Sequence, residues 1–362
     1  MRLVGTASVD AGTILAKAIY NEKGQILLNK GIILKDSMIQ RLQDLGITYI
    51  FIKDSETEDI EYEGTLSDSM RREAIQTICS TFQEIQNDLD ITNSFVVEQA
   101  SKRFSEIIRY LLTEIKEKSE LLNLIADAYT YDNYIFTHSL NVTLYSLAIG
   151  MELRLSTKEL EILGLGAIFH DIGKLKVSLD ILLKPEKLTD IEYEAIKQHA
   201  DEGFQILRKV HTIPLLVAHC AYQHHERLNG TGYPRGLLGP DIHYFGKIIA
   251  VADVFDAITS NRVYRKAMLP SEALEVLYAG SGSLFDQKVV EAFRLAVAIY
   301  PVGLSVVLND GRKGIVSGQN TGLGDRPHIR IMEHHGEKVI PYDIDLKQEL
   351  NVIIISCDTA FK

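Results

Sequence analysis

Cysteine is scarce in this chain: Cys79, Cys220 and Cys357 are the only three in 362 residues, far apart and without CxxC spacing. That excludes a zinc ribbon, a dithiol redox motif and a disulfide framework, and leaves buried structural thiols as the reading. No apolar run approaches the roughly 20 residues that a membrane-crossing helix needs. The opening Met1-Arg2-Leu3-Val4-Gly5 lacks the charged start and apolar stretch of a secretory leader. The expected location is cytoplasmic, with no membrane insertion. Positive charge is also short, with 38 Lys and Arg against 49 Asp and Glu and a formal net charge of −11. Such a surface repels polyanions, which excludes coating of a nucleic acid polymer and requires that any small anionic substrate be drawn in locally. Internal repeats and low-complexity tracts are missing as well. What remains, 46% hydrophobic and 24% charged residues with mean hydropathy near zero, is the composition of a soluble globular protein. A chain of 40.6 kDa has room for two or three structural units around one main body.

The pattern along the chain predicts a mainly α protein with small β-containing units at both ends. Thr13 to Tyr20, the turn Asn21-Glu22-Lys23-Gly24 and Gln25 to Leu28 read as strand, turn and strand. Met38, Leu42 and Leu45 recur at helical spacing, Gly46 suits a helix stop, and Ile47 to Ile52 is a strand, which closes a small α/β unit over residues 1–62. Between Leu66 and Lys118 there is neither glycine nor proline, and Ile75, Ile78, Phe82 and Ile85, then Phe104, Ile107, Ile108, Leu111 and Ile115, mark amphipathic helices. This connector, residues 63–120, is read either as pairing with a second copy in a homodimer or as packing on its own catalytic body. Helical periodicity dominates residues 121–298, broken by Asn229-Gly230-Thr231-Gly232-Tyr233-Pro234. After Tyr300-Pro301, strands at Leu304–Leu308, Gly314–Ser317, His328–Met332 and Val352–Ser356 form a β-rich unit over residues 299–362.

The chemistry lies in the helical middle. His170-Asp171 follows the apolar stretch Leu163 to Phe169, so two metal-ligating side chains leave the end of a buried helix, and an aspartate there can bridge two ions. His138 lies on a preceding helical pattern and His199 on a following one, while His224-His225 form a pair ahead of Glu226. Asp253 stands inside Ile248 to Phe255, where a carboxylate needs a partner, either a metal ion or an arginine such as Arg262. Five histidines and two aspartates without a thiolate suit first-row metals such as iron or manganese, and nothing calls for a closed tetrahedral zinc site. The other six histidines, His211, His219, His243, His328, His334 and His335, are read as structural or solvent-exposed.

In order, His138-Ser139, His170-Asp171-Ile172-Gly173-Lys174, Lys184-Pro185, Leu188-Thr189, His199, His224-His225-Glu226, Gly232-Tyr233-Pro234, Asp253 and Arg262-Val263-Tyr264-Arg265 resemble the HD-GYP family of cyclic di-GMP phosphodiesterases. The resemblance covers about Ala126 to Leu295 and implies an HD-type all-α helical bundle as the catalytic domain. It implies cyclic di-GMP as substrate, hydrolysed to pGpG or on to GMP, with two divalent metal ions, iron or manganese, as cofactors. One ion would be held by His138, His170, Asp171 and Asp253, the second by Asp171, His199, His224 and His225. Some family members hold a third through a glutamate four residues before the first histidine, a position taken here by Tyr134. Asn229 and Val263 stand where the family often has aspartate and proline, changes that touch loop stability or ligand fit more than chemistry. Lys174 is expected one helical turn beyond His170, offsetting charge on the phosphoryl oxygens beside the catalytic Asp171. Arg262 and Arg265, three apart, are expected to hold phosphate, and Tyr233 to offer its ring to a base or its hydroxyl to a phosphate. A non-catalytic cyclic-dinucleotide receptor and a hydrolase of another cyclic dinucleotide are the alternatives.

Overall fold

The computed structural model describes residues 1–20, 26–45, 47, 49–60, 66–88, 94–117, 134–182, 184, 186–260, 268 and 270–357. The chain opens with β1 (Arg2–Gly5), then β2 (Ile19–Tyr20) and β3 (Ile26–Leu28), helix α1 (Asp36–Asp44) and β4 (Tyr49–Ile52). β1 pairs antiparallel with β4 from Arg2↔Ile52 to Gly5↔Tyr49, and β2 pairs with β3. Leu15, Ile19, Leu34, Leu42 and Ile50 close a small core of their own beneath these strands. The stretch from Thr13 to Tyr20, expected as one strand, is regular only at its end. Ile14 bridges Ile33 while Leu15 bridges Ile52, so this backbone is shared between two ladders.

Helices α2 (Asp68–Asp88) and α3 (Ser94–Glu117) follow. Their apolar faces pack on the chain's own central helical body: Ile78, Phe82, Phe104, Ile108 and Leu111 belong to the main core. Phe104 lies 5.0 Å and Phe82 6.3 Å, ring centre to ring centre, from Phe169 of the central helical body. Gly164 lets the backbones close, since a Cβ there would come within 2.9 Å of Ile108. Each fully buried phenylalanine contributes about 1.5–3 kcal/mol of apolar burial.

The central helical body comprises α4 (Tyr134–Glu152), α5 (Thr157–Phe169), α6 (Leu179–Leu182), α7 (Asp190–Lys197), α8 (His199–Leu207), α9 (Leu215–Gln223), α10 (Tyr244–Thr259), α11 (Pro270–Gly280) and α12 (Gln287–Ala296). Local signals set where several begin. Ser156 with Glu159 and Thr189 with Glu192 form reciprocal capping boxes at the starts of α5 and α7. α10 is apolar on nearly all sides and runs through the middle of the bundle, with Ile248, Ile249, Val251, Ala252 and Phe255 buried. Cys220 on α9 packs against Gly166 on α5, where a Cβ would meet its sulfur at 2.5 Å, and burial pushes this thiol up to about 12. Cys357 is buried as expected, whereas Cys79 is half-buried.

A five-stranded antiparallel sheet closes the chain, β5 (Ser305–Leu308), β6 (Arg312–Gly318), β7 (His328–His334), β8 (Glu337–Asp345) and β9 (Ile354–Cys357), in the order β8-β7-β6-β5-β9. β8 is absent from the sequence reading. It carries Pro341, which cannot donate to a ladder, and the strand tolerates it because it lies at the sheet edge and shifts register between Ile331 and Glu333 of its neighbour. The sheet meets the N-terminal unit through Leu3 bridging Leu304 and through Arg330 on both carboxylate oxygens of Asp59, at 2.6 and 2.7 Å. Among the described residues no helix is long and apolar enough to cross a membrane.

Candidate metal centre

Five elements bring the seven expected ligands together. His138 sits on α4, His170 closes α5 with Asp171 next to it, His199 is the first residue of α8, His224 and His225 follow α9, and Asp253 is in mid-α10. Six of the seven are buried and His225 is 18% exposed. Three of the histidines use the same device. The last carbonyls of a helix have no partner within it, and a histidine placed there can satisfy one. His170 Nδ1 donates to Ala167 O at 2.7 Å, His199 Nδ1 to Ile196 O at 2.6 Å and His224 Nδ1 to Ala221 O at 2.9 Å. A carbonyl oxygen only accepts, so each Nδ1 carries a hydrogen, and each ring turns its Nε2 inward.

Those nitrogens converge on Asp171. Its Oδ1 lies 3.3 Å from His199 Nε2 and 3.8 Å from His224 Nε2, and its Oδ2 lies 3.4 Å from His170 Nε2 and 3.6 Å from His138 Nε2. Asp253 Oδ1 stands 3.2 Å from His138 Nε2 and 3.9 Å from His170 Nε2, with Oδ2 3.8 Å from His225 Nδ1. Two ligand groups result, His138 with His170 and Asp171, and Asp171 with His199, His224 and His225, each tight enough for one ion. The residues fit a metal on a further count. His170 Nε2 and Asp171 Oδ1 are buried with no hydrogen-bond partner, a costly arrangement that a cation relieves.

Protonation follows from the same geometry. Burial lowers His199 to about 4 and holds His224 and His225 well below the usual imidazole range, so these rings are neutral at pH 7. Burial opposes charge on His138 too, but Asp253 and Asp256 outweigh it and raise His138 to about 9. Burial would likewise raise Asp171, yet Lys174, His170 and His199 hold it well below the carboxylate range. Lys174 Nζ donates to Asp171 Oδ2 and is 22% exposed. It stands in a 3-10 segment, Ile172–Lys176, with its N–H on Asp171 O at 2.9 Å. The expected α-turn beyond His170 is thus replaced by a tighter turn over Asp171, because three residues complete a 3-10 turn.

The loop after His225 is fixed from within. Glu226, 2% exposed, accepts from the backbone N–H of Arg235 at 2.8 Å and of Leu237 at 2.9 Å. Gly232 runs so close to the preceding chain that a Cβ would lie 2.4 Å from Arg227 N and 2.5 Å from His225 O. Its freedom serves the loop's own closure. Tyr233 stacks on His225, ring centres 4.6 Å apart, which places it on a ligand of the centre. Asn229 Oδ1 accepts from Thr231 N and Thr231 Oγ1, work that an aspartate would do equally.

Arg262 and Arg265, with Val263 and Tyr264, lie outside the described residues, as does the side chain of Tyr134. Sequence reasoning missed a buried set behind His138. His138 Nδ1 donates to Asp256 Oδ2 at 2.7 Å, and Asn141 Nδ2 donates to Asp256 Oδ1 at 2.9 Å. The signal was present: Asp256 is three residues after Asp253 in an apolar helix, and Asn141 three after His138, each one turn along the same face. Glu226 was quoted but its grip on the loop was not foreseen.

Residues 110–289 match the family model described as HD domain. A cyclic di-GMP phosphodiesterase of Pseudomonas aeruginosa is 37% identical over 231 residues, 64% of this chain and 55% of its own length. The cyclic di-GMP phosphodiesterase response regulator RpfG of Xanthomonas campestris pv. campestris is 33% identical over 226 residues, 62% of this chain and 58% of its own length. The 3'3'-cGAMP-specific phosphodiesterase 3 of Vibrio cholerae serotype O1 is 39% identical over 168 residues, 46% of this chain and 36% of its own length. The chain thus spans little more than half the length of the first two and about a third of the last.

Proposed function

Because the chain belongs to the HD-domain family, in its HD-GYP branch, we propose that it is a metal-dependent phosphodiesterase that hydrolyses cyclic di-GMP to pGpG, with GMP as a further product. The observation that carries this reading is Asp171, whose two oxygens face different ligand groups. We assign His138, His170 and Asp171, with the neighbouring Asp253, to one divalent ion and Asp171, His199, His224 and His225 to another, with iron or manganese favoured by nitrogen and oxygen ligands without thiolate. When bound, such ions supply Lewis acidity for attack of water on phosphorus and offset charge on its oxygens.

The protein's own side chains do the rest. Asp171, Asp253 and the five histidines fix the ion positions, and Lys174 sets a positive charge beside Asp171, partly open to solvent, where a phosphodiester approaches. Tyr233, held against His225 by a loop that Glu226 anchors, places an aromatic edge at the rim for a guanine or a phosphate. Arg262 and Arg265 complete the proposal as phosphate contacts. These local charges draw an anion to a chain whose net charge is −11. A cytoplasmic site of action accords with a nucleotide second messenger as substrate.

A second reading has support of its own: the relative specific for 3'3'-cGAMP shares 39% identity over the matched region. The test is product analysis on metal-loaded protein given cyclic di-GMP and 3'3'-cGAMP separately. Faster consumption of cyclic di-GMP with release of pGpG supports the first reading. Faster consumption of 3'3'-cGAMP transfers the assignment, and binding without turnover of either makes the protein a receptor.

A further inference from the structure

Arg71 lies in the first turn of α2, outside residues 110–289, and is 2% exposed. A guanidinium stays charged when buried, so it needs directed acceptors. Its Nη2 donates to Asn141 Oδ1 at 2.7 Å. Asn141, 3% exposed, turns its amide nitrogen to Asp256 Oδ1 at 2.9 Å, and Asp256, 1% exposed, accepts from His138 Nδ1 at 2.7 Å. Each link dictates the next. A guanidinium only donates, so the amide oxygen faces it and the NH2 group faces the carboxylate. The carboxylate in turn holds the proton on His138 Nδ1, which leaves Nε2 facing Asp253 and Asp171.

We propose that Arg71 is a positioning residue for the metal centre, acting through Asn141 and Asp256 on His138, so that helix α2 sets the affinity of the ion position His138 shares with His170 and Asp171. The proposal rests on the two-position metal reading above. It draws on an asymmetry between the positions. His170, His199 and His224 are oriented by the backbone carbonyls of Ala167, Ile196 and Ala221, whereas His138, at the first position, is oriented by a chain of side chains that begins on α2. A displacement of α2 is therefore transmitted to one position and leaves the other intact. If the relay only docked α2 on the bundle, cutting it would lower stability without changing the ratio of the two ion affinities.

The experiment is calorimetric titration of the metal-stripped full chain with manganese(II), alongside thermal melting in chelator. Wild type takes up two equivalents. Arg71→Met weakens one of them 10- to 100-fold and spares the other, the size seen when a partner behind a metal-bound histidine is removed. Arg71→Gln, which keeps a donor, loses less; Asn141→Leu matches Arg71→Met, and the double variant is no weaker than either single one. Two unchanged affinities, or two lowered in the same proportion, overturn the proposal. Should Arg71→Met not fold, the same criteria apply to Arg71→Gln and Asn141→Leu. A wild-type chain that binds fewer than two ions removes the metal reading itself, an outcome visible before any variant is made.

Discussion

Glu226→Gln isolates what holds the loop from Asn229 to Leu237 over the centre. In the wild type one buried carboxylate receives two backbone N–H groups, from Arg235 at 2.8 Å and Leu237 at 2.9 Å, one on each oxygen. The glutamine keeps a single acceptor. Its NH2 group meets the second N–H head on, and the surviving bond loses its charge assistance. Hydrogen bonds to charged groups contribute about 1.5–3 kcal/mol each, so the loop should lose roughly 2–3 kcal/mol of local stability. At about 1.4 kcal/mol per tenfold, that is a roughly 30- to 140-fold rise in loop opening. Hydrogen exchange followed by mass spectrometry reads it directly: peptides containing Arg235 and Leu237 should exchange faster by that factor, while peptides from the middle of α10 keep their protection. Turnover should fall with the loop, because Tyr233 loses its stacking on His225. Unchanged exchange at Arg235 and Leu237 would refute the assignment of Glu226 as the anchor.

Two further outcomes follow from burial. In chelator, His199, lowered to about 4, contributes stability above pH 6.5 that is lost as pH falls toward 4; His138, raised to about 9, contributes stability below pH 6.5 that is lost as pH rises through 9. Each limb is worth up to about 3 kcal/mol, so the melting midpoint of the metal-free chain should peak near neutrality, and a midpoint still climbing at pH 9 contradicts the environment assigned to His138. Phe104→Ala removes a fully buried ring 5.0 Å from Phe169 and should cost about 3–5 kcal/mol in denaturant unfolding. A loss under 1 kcal/mol would mean that α3 does not belong to the catalytic core.

The seven candidate ligands were legible because few residue types bind metals and because each stood where helical periodicity put it at a helix end or on a buried face. In the structure Asp171 stands between His138 and His170 on one side and His199, His224 and His225 on the other, while Asp253, implied for the first group, lies beside His138 and outside both tight clusters. Long-range contacts were less accessible. Nothing in the neighbourhood of Arg71 announces that it meets Asn141 seventy positions on, and the pairing follows only once α2 is docked on α4. Tyr233 reads as a free recognition ring until the loop folds it onto His225. β8 escaped because Pro341 interrupts the alternation that marks a strand, and the tolerance for it comes from the sheet edge, a property of topology rather than of local sequence. The capping pairs Ser156 with Glu159 and Thr189 with Glu192 were readable as serine or threonine followed three residues later by glutamate, and would have fixed two helix starts.

The central claim is that Asp171 joins two metal positions into one hydrolytic centre. It is tested most directly by purifying the protein without oxygen, measuring iron and manganese per chain, and following cyclic di-GMP hydrolysis as metal is removed and restored. The account predicts two ions per chain, turnover that disappears with them and returns on reloading, and loss of both ions together with turnover in Asp171→Ala. Full turnover in metal-free protein, or two ions retained by Asp171→Ala, would contradict it.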